Sequence, residues 1–520
     1  MSESGKTVRS LETALPDPVE AGNVTYDPSM DRLREFSAHL ETTTEFGSPS
    51  YVSDERSRNA DRTENAVDDE FGPADYAHVE DAVEAASERE MVCVDRRLGR
   101  HPGHSYVCRL FVSKEYARIA LAWSKLFEPV EAGEESGADG AAADGADAAP
   151  DPDFVTVQVP EWDETAIRVL PEEGVTAVLG SDYTGEAKKS FLRLFMYYAK
   201  QQGGLGLHAG SKRVRLRDES GDLRTVGQAF LGLSAAGKST LTAHGLWLDE
   251  ESGEEATMLQ DDVCALRPDG AIAGSEGSGL YVKTIGLDAD EQPAMYDAVT
   301  DESAVLENVD VADDGAVDFD SDRHTSNGRA VIEREQLSSA GEDIDLDGVD
   351  QIFFITRNPV MPPVAKLTPE EAAAAFMLGE SVQTSAGDPS KAGESIRVVG
   401  TNPFIVGSKG EEGNRFRDLV ADLDVDCFVL NTGNLGGRDV GVEESVTILR
   451  EIARGTVEWT DDEATGMTVP SEVPGLNISD YDVAANVENL DEKLAKLRTE
   501  RRTYLRTFAD LDDDIEDAVY

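Results

Sequence analysis

An apolar run, a glycine-containing loop and a second apolar run follow one another in VGQAFLGLSAAGKSTLTAHGLWL, residues 226–248. Inside this stretch, Gly232 to Ser239 fit the phosphate-loop pattern GxxxxGK followed by Ser or Thr, between a predicted strand and a predicted helix. Such a loop needs its glycines so that backbone N–H groups can surround phosphates, its lysine to reach the outer phosphates, and its hydroxyl to bind a metal ion. A glycine-rich turn that matches by chance would not explain the flanking elements. The stretch therefore predicts a nucleotide-binding domain.

Two carboxylates follow the next predicted strand. The apolar run ATMLQ, residues 256–260, leads directly into Asp261 and Asp262. A protein with a phosphate loop places its metal-binding acid at such a strand end. In an acidic chain, a solvated strand end is the alternative for this pair. Its position after the loop favours a metal site.

Basic and imidazole side chains stand out because the chain is poor in cations. Lys189 follows Lys188 in DYTGEAKKS, His208 ends the apolar segment LGLH, and Arg100 and Arg329 lie in polar surroundings. Each has a structural alternative: a solvated helix start for the lysines, a core or turn position for the histidine, and surface ion pairs for the arginines. Together they supply the cationic and metal-ligand groups that an anionic carboxylate substrate would need.

The composition excludes several classes of partner. The 520 residues include 47 Lys and Arg against 104 Asp and Glu, a formal net charge of −57, yet 40% are hydrophobic. The chain is therefore expected to be globular, and its charge argues against nucleic acid and membrane partners. A salt-adapted cytoplasm would screen the self-repulsion. Widely spaced cysteines, no signal-peptide pattern and no long apolar run predict a soluble, cytoplasmic protein.

The alternation of strand and helix patterns predicts an α/β, or mixed α+β, fold. We expect a polar and loosely ordered region over residues 1–70, an N-terminal domain over 71–205, and a phosphate-loop domain over 206–520. An acidic Ala/Gly-rich segment, residues 130–152, is expected to be a surface insertion.

Several segments, taken in order, resemble the ATP-dependent phosphoenolpyruvate carboxykinase family. The family hallmarks GRSPKDK, EYxGExKK, HCSAN, GLSGTGKTTL and DDEHGW are similar to LGRHPGHSY, DYTGEAKKS, LHAGSK, GLSAAGKSTL and QDDVCAL here. Further similar segments are GLYVKTI, VMPPVAKLT, LNTGNLGGR and VPSEVPG. The resemblance covers about residues 93–481.

The resemblance implies a two-domain carboxykinase-like fold, with the 71–205 domain on the substrate side and a mononucleotide-binding C-terminal domain. It also implies the reaction of oxaloacetate and ATP to phosphoenolpyruvate, ADP and CO₂ in gluconeogenesis, and a mobile lid that we expect near residues 380–402. Arg100 and Tyr183 would hold the oxaloacetate carboxylates, Lys189 would also face the substrate, and Arg329 would steady the substrate and the transferred phosphoryl group. Lys189, Lys238 and Arg329 would be the catalytic residues.

The resemblance also implies two metal ions. Lys189, His208 and Asp262 would bind Mn²⁺, which requires a depressed pKa for Lys189; a neighbouring dication and Lys188 would provide it. Ser239 would bind the Mg²⁺ that accompanies ATP, and Asp261 would hold its water. The nucleotide-binding residues would be Gly232, Leu233, Ser234, Ala235, Ala236, Gly237, Lys238, Ser239, Thr240, Lys283, Arg438 and Ser445.

Some residues depart from the family pattern. Ala235 and Ala236 replace Gly-Thr of the loop and restrict left-handed backbone. Val263, Cys264 and Ala265 replace Glu-His-Gly after the carboxylates. Two alternatives therefore remain at this point: a carboxykinase-fold kinase of the HPr-kinase kind acting on another acceptor, and a non-catalytic binding module. A monomer is expected rather than an obligate oligomer.

Overall fold

The structure is a computed structural model that describes residues 14–57, 59–68, 71–130, 149–233, 236–290, 292–382 and 395–520. Its contacts divide the chain into two compact units. The first unit contains Met1–Tyr197 and Ser275–Ser338, and the second contains Tyr198–Gly274 and Ser339–Tyr520.

The first unit contains a large mixed sheet. Its strands are, in spatial order, Val24–Tyr26, Met91–Leu98, Tyr106–Ser113, Phe154–Val159, Val175–Leu179, Ala166–Leu170 and Thr63–Asn65, with Glu128–Pro129 beside Met91–Leu98. The central strands read as runs of Val, Leu and Phe and are buried along nearly their whole length, as expected for a sheet covered on both faces.

A second sheet of the first unit joins segments that are distant in the sequence. Its strands are Gly279–Lys283, Arg329–Glu333, Val305–Glu307, Pro49–Tyr51 and Glu41–Thr43, and a small pair is formed by Asp310–Val311 and Val317–Asp318. The helices are Met30–Phe36, Pro73–Glu88, Ala117–Leu126, Pro293–Val299 and the start of Thr184–Gln201, with 3₁₀ turns at Ala38–Leu40, Ala60–Arg62, Lys114–Tyr116 and Arg334–Gln336.

This sheet corrects two expectations. Residues 275–338 belong to the first unit, not to the phosphate-loop unit, because Leu306 pairs with Ser50 across about half the chain length. The described part of residues 1–70 is also ordered: Val24 pairs with Met91 and Thr63 pairs with Ile167 in the large sheet. Each of these three pairings involves a strand of only three residues, namely Pro49–Tyr51, Val24–Tyr26 or Thr63–Asn65, and a pattern of apolar periodicity does not reveal such short strands.

The second unit is built on another mixed sheet. Its strands are, in spatial order, Glu255–Gln260, Ala209–Arg217, Leu223–Gly232, Gln351–Thr356, Asp426–Asn431, Val364–Leu367, Thr468–Glu472 and Glu458–Asp461. Strands Leu223–Gly232, Gln351–Thr356 and Asp426–Asn431 run parallel to one another. The hairpin before the phosphate loop turns where the Asp218 side chain accepts hydrogen bonds from the backbone of Ser220 and Asp222.

The remaining elements of the second unit surround this sheet. The other strands are Leu205–Leu207, Cys264–Leu266, Ile272–Gly274, Glu380–Val382, Ser395–Arg397, Asn434–Leu435 and Arg438–Asp439. The helices are Lys238–Ala243, Pro369–Leu378, Lys409–Asp422, Val442–Arg454, Val483–Asn486, Leu490–Leu505 and Asp513–Asp517, with 3₁₀ turns at Glu250–Ser252, Val399–Thr401 and Ile478–Tyr481. The mixed α/β class predicted from the sequence is confirmed.

Two predicted segments lie largely outside the described residues. They are the acidic insertion, at residues 131–148, and the expected lid, at residues 383–394. Among the helices of the described ranges, none is long and apolar enough to cross a membrane.

Candidate active site

The phosphate loop of the second unit follows the strand Leu223–Gly232. Gly237 adopts a left-handed backbone with φ of 105°, which only glycine adopts readily, and Lys238 begins a helix that ends at Ala243. Ala236 is not among the residues with positive φ, so its side chain does not conflict with this turn. The Thr432 hydroxyl supports the loop by donating to the Ala236 carbonyl at 2.7 Å. Ser234 and Ala235 lie outside the described residues.

The predicted acid and histidine meet beside this loop. Asp262 follows the strand Glu255–Gln260, and its Oδ1 lies 2.9 Å from His208 Nε2 and 3.9 Å from Lys238 Nζ. His208 Nδ1 lies 2.7 Å from the carbonyl oxygen of Thr401. Because a carbonyl can only accept, the Nδ1 N–H donates to Thr401. Nε2 then donates to the Asp262 carboxylate when it carries a proton, and it offers a lone pair to a cation when it does not. We call His208 and Asp262 the histidine–aspartate pair.

The donor set of this pair fits a divalent cation. An imidazole nitrogen and a carboxylate oxygen face each other, and an N–H to a carbonyl is the usual outer partner of a metal-bound histidine. The adjacent Asp261 has one buried carboxylate oxygen with no hydrogen-bond partner among the described residues. No group of three His, Cys, Asp or Glu side chains is gathered in the described part of the chain. Lys189, the predicted third ligand, belongs to the first unit.

Tyr183 and Arg329 lie together in the first unit. The Asn327 side chain links them, because its amide donates to the Tyr183 hydroxyl at 3.2 Å and its oxygen accepts from Arg329 Nη2 at 2.9 Å. The Arg329 guanidinium also lies over the Tyr281 ring, 5.3 Å from the ring centroid. We call Tyr183, Asn327 and Arg329 the tyrosine–arginine cluster.

Buried charges hold this cluster in place. Arg118, 2% exposed, donates to Asp182 at 2.8 Å and to Glu307 at 3.1 Å. Glu307 accepts a further bond from the backbone N–H of Thr184 at 2.9 Å and one from the Tyr281 hydroxyl. One carboxylate thus fixes both the start of the helix after Tyr183 and the ring beneath Arg329.

The adjacent residues Lys188 and Lys189 have different surroundings. Lys188 is buried, and its Nζ pairs with Glu276 at 2.9 Å and lies 5.4 Å from the Tyr281 ring centroid. The charge of Lys188 is therefore balanced by a carboxylate. Lys189 itself is only partly buried on the same helix. Its role as a metal ligand remains a prediction.

Arg100 has its own environment in the first unit. Its Nε donates to Glu128 at 2.7 Å and its Nη2 donates to the Gly277 carbonyl at 3.2 Å. Burial, together with the positive charge of Arg100, lowers the pKa of the nearby Arg334 to about 10. Two guanidinium groups at one place attract an anion, and Glu128 already balances part of this charge, so the carboxylate-binding role of Arg100 remains a prediction.

The other predicted nucleotide contacts are scattered. Lys283 pairs across strands with Arg329 and therefore belongs to the first unit. Arg438 is half exposed and lies 3.4 Å from Asp480. Ser445 is buried, and its hydroxyl donates to the Gly441 carbonyl at 2.8 Å. Ser239 and Thr240 are exposed at the helix start. The nucleotide-binding roles of these residues remain predictions.

The structure explains one departure from the family pattern. Val263, Cys264 and Ala265 are fully buried, and Cys264–Leu266 pairs with Leu205–Leu207 and Ile272–Gly274. Apolar residues suit this buried strand. Residues that the sequence reasoning missed are Asn327, Glu307, Arg118 and the carbonyl of Thr401. The family hallmarks do not include them, and only buried Arg118, an arginine in the apolar helix sequence ARIALAWSKL, gave a signal.

Comparison with known proteins extends over both units. A sequence profile of the phosphoenolpyruvate carboxykinase family, ATP type, matches residues 48–479. The chain is 34% identical over 507 residues to phosphoenolpyruvate carboxykinase (ATP) of Aeropyrum pernix, which covers 96% of this chain and 97% of that protein. Enzymes of the same name from Chelativorans sp. and Mesorhizobium japonicum are each 30% identical over 327 residues, covering 60% of this chain and 57% of theirs.

Proposed function

Because the chain belongs to the ATP-dependent phosphoenolpyruvate carboxykinase family, we propose that it converts oxaloacetate and ATP into phosphoenolpyruvate, ADP and CO₂. The observation that carries this proposal is the meeting of Lys238 of the phosphate loop with the histidine–aspartate pair in the second unit. A place in gluconeogenesis follows from the product. The small molecules bound are oxaloacetate and ATP with Mg²⁺ and Mn²⁺.

The first unit supplies the groups for the dicarboxylate. Arg329 and Tyr183 are already joined through Asn327, so they need little reorganisation to bind a carboxylate. Arg100 offers a second guanidinium for the other carboxylate. The tyrosine hydroxyl and the two arginines would orient oxaloacetate so that the bond to the departing carboxylate can break.

The second unit supplies the groups for phosphoryl transfer. Lys238 would neutralise the outer phosphates, and Ser239 would bind the Mg²⁺ of the nucleotide. The residues that would hold Mn²⁺ are His208 and Asp262, with Lys189 on the family pattern. A bound Mn²⁺ supplies positive charge that stabilises a developing enolate oxygen.

The reaction balances in two steps. The carbon–carbon bond to the carboxylate breaks, CO₂ leaves, and the electron pair remains as the enolate of pyruvate. The enolate oxygen then attacks the γ-phosphorus in line, the bond from the γ-phosphorus to the bridging oxygen breaks, and ADP leaves. Arg329 and Lys238 would neutralise the charge of the transferred group. Protonation of the enolate carbon would give pyruvate, so water must be excluded during the reaction.

An assay with the purified full chain in high salt tests this proposal. Oxaloacetate is supplied with Mn²⁺, Mg²⁺ and either ATP or GTP, and phosphoenolpyruvate and CO₂ are followed together. We expect equal amounts of both products with ATP and loss of phosphoenolpyruvate in Lys238→Ala. Lys366→Ala is the matched control, because Lys366 pairs with Asp426 on the surface of the same unit. ATP binding without phosphoenolpyruvate formation would instead favour another phosphoryl acceptor.

A further inference from the structure

A lysine without a carboxylate partner is buried in the second unit. Lys212 is 0% exposed on the strand Ala209–Arg217, and its Nζ donates to the carbonyls of Leu241 at 2.5 Å and His244 at 2.7 Å. Within the described ranges, no carboxylate forms an ion pair with it. Burial lowers the pKa of Lys212 to about 7. Burying an ammonium costs free energy unless it is hydrogen-bonded, and the two carbonyls supply such bonds here.

The two carbonyls belong to the end of the phosphate-loop helix. This helix spans only Lys238–Ala243, and the last carbonyls of any helix lack partners inside it and favour a cation. The helix also rests directly on the strand of Lys212. A Cβ at Gly210 would lie 2.4 Å from the Thr242 hydroxyl, which is too close for any side chain.

The strand of Lys212 and the phosphate-loop helix each lead to one half of the candidate site. One half is the histidine–aspartate pair, and the other is the phosphate-binding start of the helix. The strand Ala209–Arg217 begins directly after His208, and Ser211 pairs with Gln260 beside the two aspartates. The helix begins with Lys238 and Ser239. A bond from Lys212 to the far end of this helix therefore ties the phosphate loop to the strand that leads from His208.

We infer that Lys212 is a positioning residue that fixes the phosphate-loop helix relative to the histidine–aspartate pair within the second unit. This inference rests on the proposed function. The family hallmark HCSAN has asparagine where His208-Ala-Gly-Ser-Lys212 has lysine, so the cation distinguishes this chain from the hallmark. Loss of the bond leaves both halves of the site present but lets the loop move, and a displacement of about 1 Å costs up to about a hundredfold in rate.

The test is Lys212→Met in the full chain, with MgADP binding measured by calorimetry and turnover measured with oxaloacetate and MgATP. We expect the MgADP dissociation constant to rise about tenfold and kcat to fall about tenfold. The Mn²⁺ dissociation constant and the KM for oxaloacetate remain within twofold of the original (about 0.4 kcal/mol). The thermal midpoint changes little, because relief of the buried charge opposes the loss of two carbonyl partners.

Two further variants keep the inference falsifiable. Gly210→Ala displaces the same helix without removing a charge and should weaken MgADP binding in the same way. Leu449→Ala removes a buried side chain from the core of the same unit and controls for general destabilisation. An MgADP dissociation constant that is unchanged in Lys212→Met, or raised equally in Leu449→Ala, overturns the inference. Failure of the original protein to make phosphoenolpyruvate, with MgADP binding intact, contradicts only the proposed function.

Discussion

The tyrosine–arginine cluster of the first unit and the histidine–aspartate pair of the second unit use charge in opposite ways. In the first unit, Arg118 is balanced by Asp182 and Glu307, and these buried groups support the residues around them. In the second unit, a histidine nitrogen faces Asp262, and a buried oxygen of Asp261 has no hydrogen-bond partner among the described residues.

On the proposed function, this difference separates a preorganised substrate site from a site that a cation completes. A network with internally paired charges keeps its geometry before substrate binds, which is the arrangement that lowers reorganisation cost. Closely placed acceptors such as His208 and Asp262 are stabilised by positive charge, which Lys238 supplies in part at 3.9 Å and which a metal ion would complete. The first cluster should therefore depend on single side chains, and the second on metal ions.

The largest effect is expected for Arg329→Ala. This change removes the guanidinium of the tyrosine–arginine cluster, and kcat/KM for oxaloacetate should fall about a thousandfold, as for loss of a preorganised charge at a reacting group. Steady-state kinetics measure it. Arg323→Ala is the matched control, because Arg323 is 70% exposed in the same unit. A loss below tenfold (about 1.4 kcal/mol) would remove Arg329 from the reaction.

The next effect concerns the metal ion. His208→Ala removes one of the proposed Mn²⁺ ligands and leaves Asp262, so the Mn²⁺ dissociation constant should rise about a hundredfold. The electron paramagnetic resonance signal of free Mn²⁺ reports binding without any turnover. His39→Ala, an exposed histidine, should bind Mn²⁺ as before. Equal affinity in both variants would contradict the assignment of the histidine–aspartate pair.

The second unit also contains a buried network of paired charges, centred on Glu380. Glu380 is buried between Arg501 and Arg397, at 2.9 and 2.7 Å. Burial opposes its ionisation, but the two guanidinium groups outweigh burial and lower the pKa of Glu380. Such a group stabilises the fold above the pKa it has in the unfolded chain, and this contribution is lost as pH falls through the lower folded value.

Glu380→Gln should therefore lower the free energy of unfolding by about 2 kcal/mol at neutral pH. The deficit should shrink as pH falls below about 4.3, the ordinary glutamate value. Denaturant unfolding at several pH values measures it, with the exposed Glu463→Gln as control. A deficit that stays constant into acid would show that packing, not charge, is responsible.

The smallest effect is expected for Glu307→Gln. The amide keeps one acceptor but loses the charge that balances Arg118, so the start of the helix after Tyr183 should loosen. The KM for oxaloacetate should rise about tenfold while the KM for MgATP stays unchanged. Glu302→Gln, an exposed change in the same unit, is the control. A rise in both KM values would show that the paired charges do more than position the substrate side.

The elements of the fold were predictable where the chain is apolar. The run VDQIFFITR forms the strand Gln351–Thr356, and VEESVTILREIARG forms the helix Val442–Arg454, which ends at Gly455 in a left-handed conformation. The placement of residues 275–338 was not predictable. It depends on the pairing of Leu306 with Ser50, and nothing local to either segment specifies that partner.

The site was predictable where it resembles known segments. The resemblance named His208 and Asp262, and the structure brings them to 2.9 Å. Asn327 and Glu307 carry no such signal, because a polar side chain becomes a support only through its partners. The sequence analysis assigned no role to Lys212. Lys212 is buried because its Nζ lies against the end of the helix Lys238–Ala243. The apolar sequence pattern extends to Leu248 and does not predict that the helix ends at Ala243.

The central claim is that this chain transfers a phosphoryl group from ATP to the enolate of pyruvate. The most direct measurement supplies ATP labelled at the γ-phosphate with oxaloacetate, Mn²⁺ and Mg²⁺, and follows the label. We predict that the label appears in phosphoenolpyruvate in a one-to-one ratio with the CO₂ released. Release of CO₂ as pyruvate accumulates, with the label remaining in ATP, would contradict the claim.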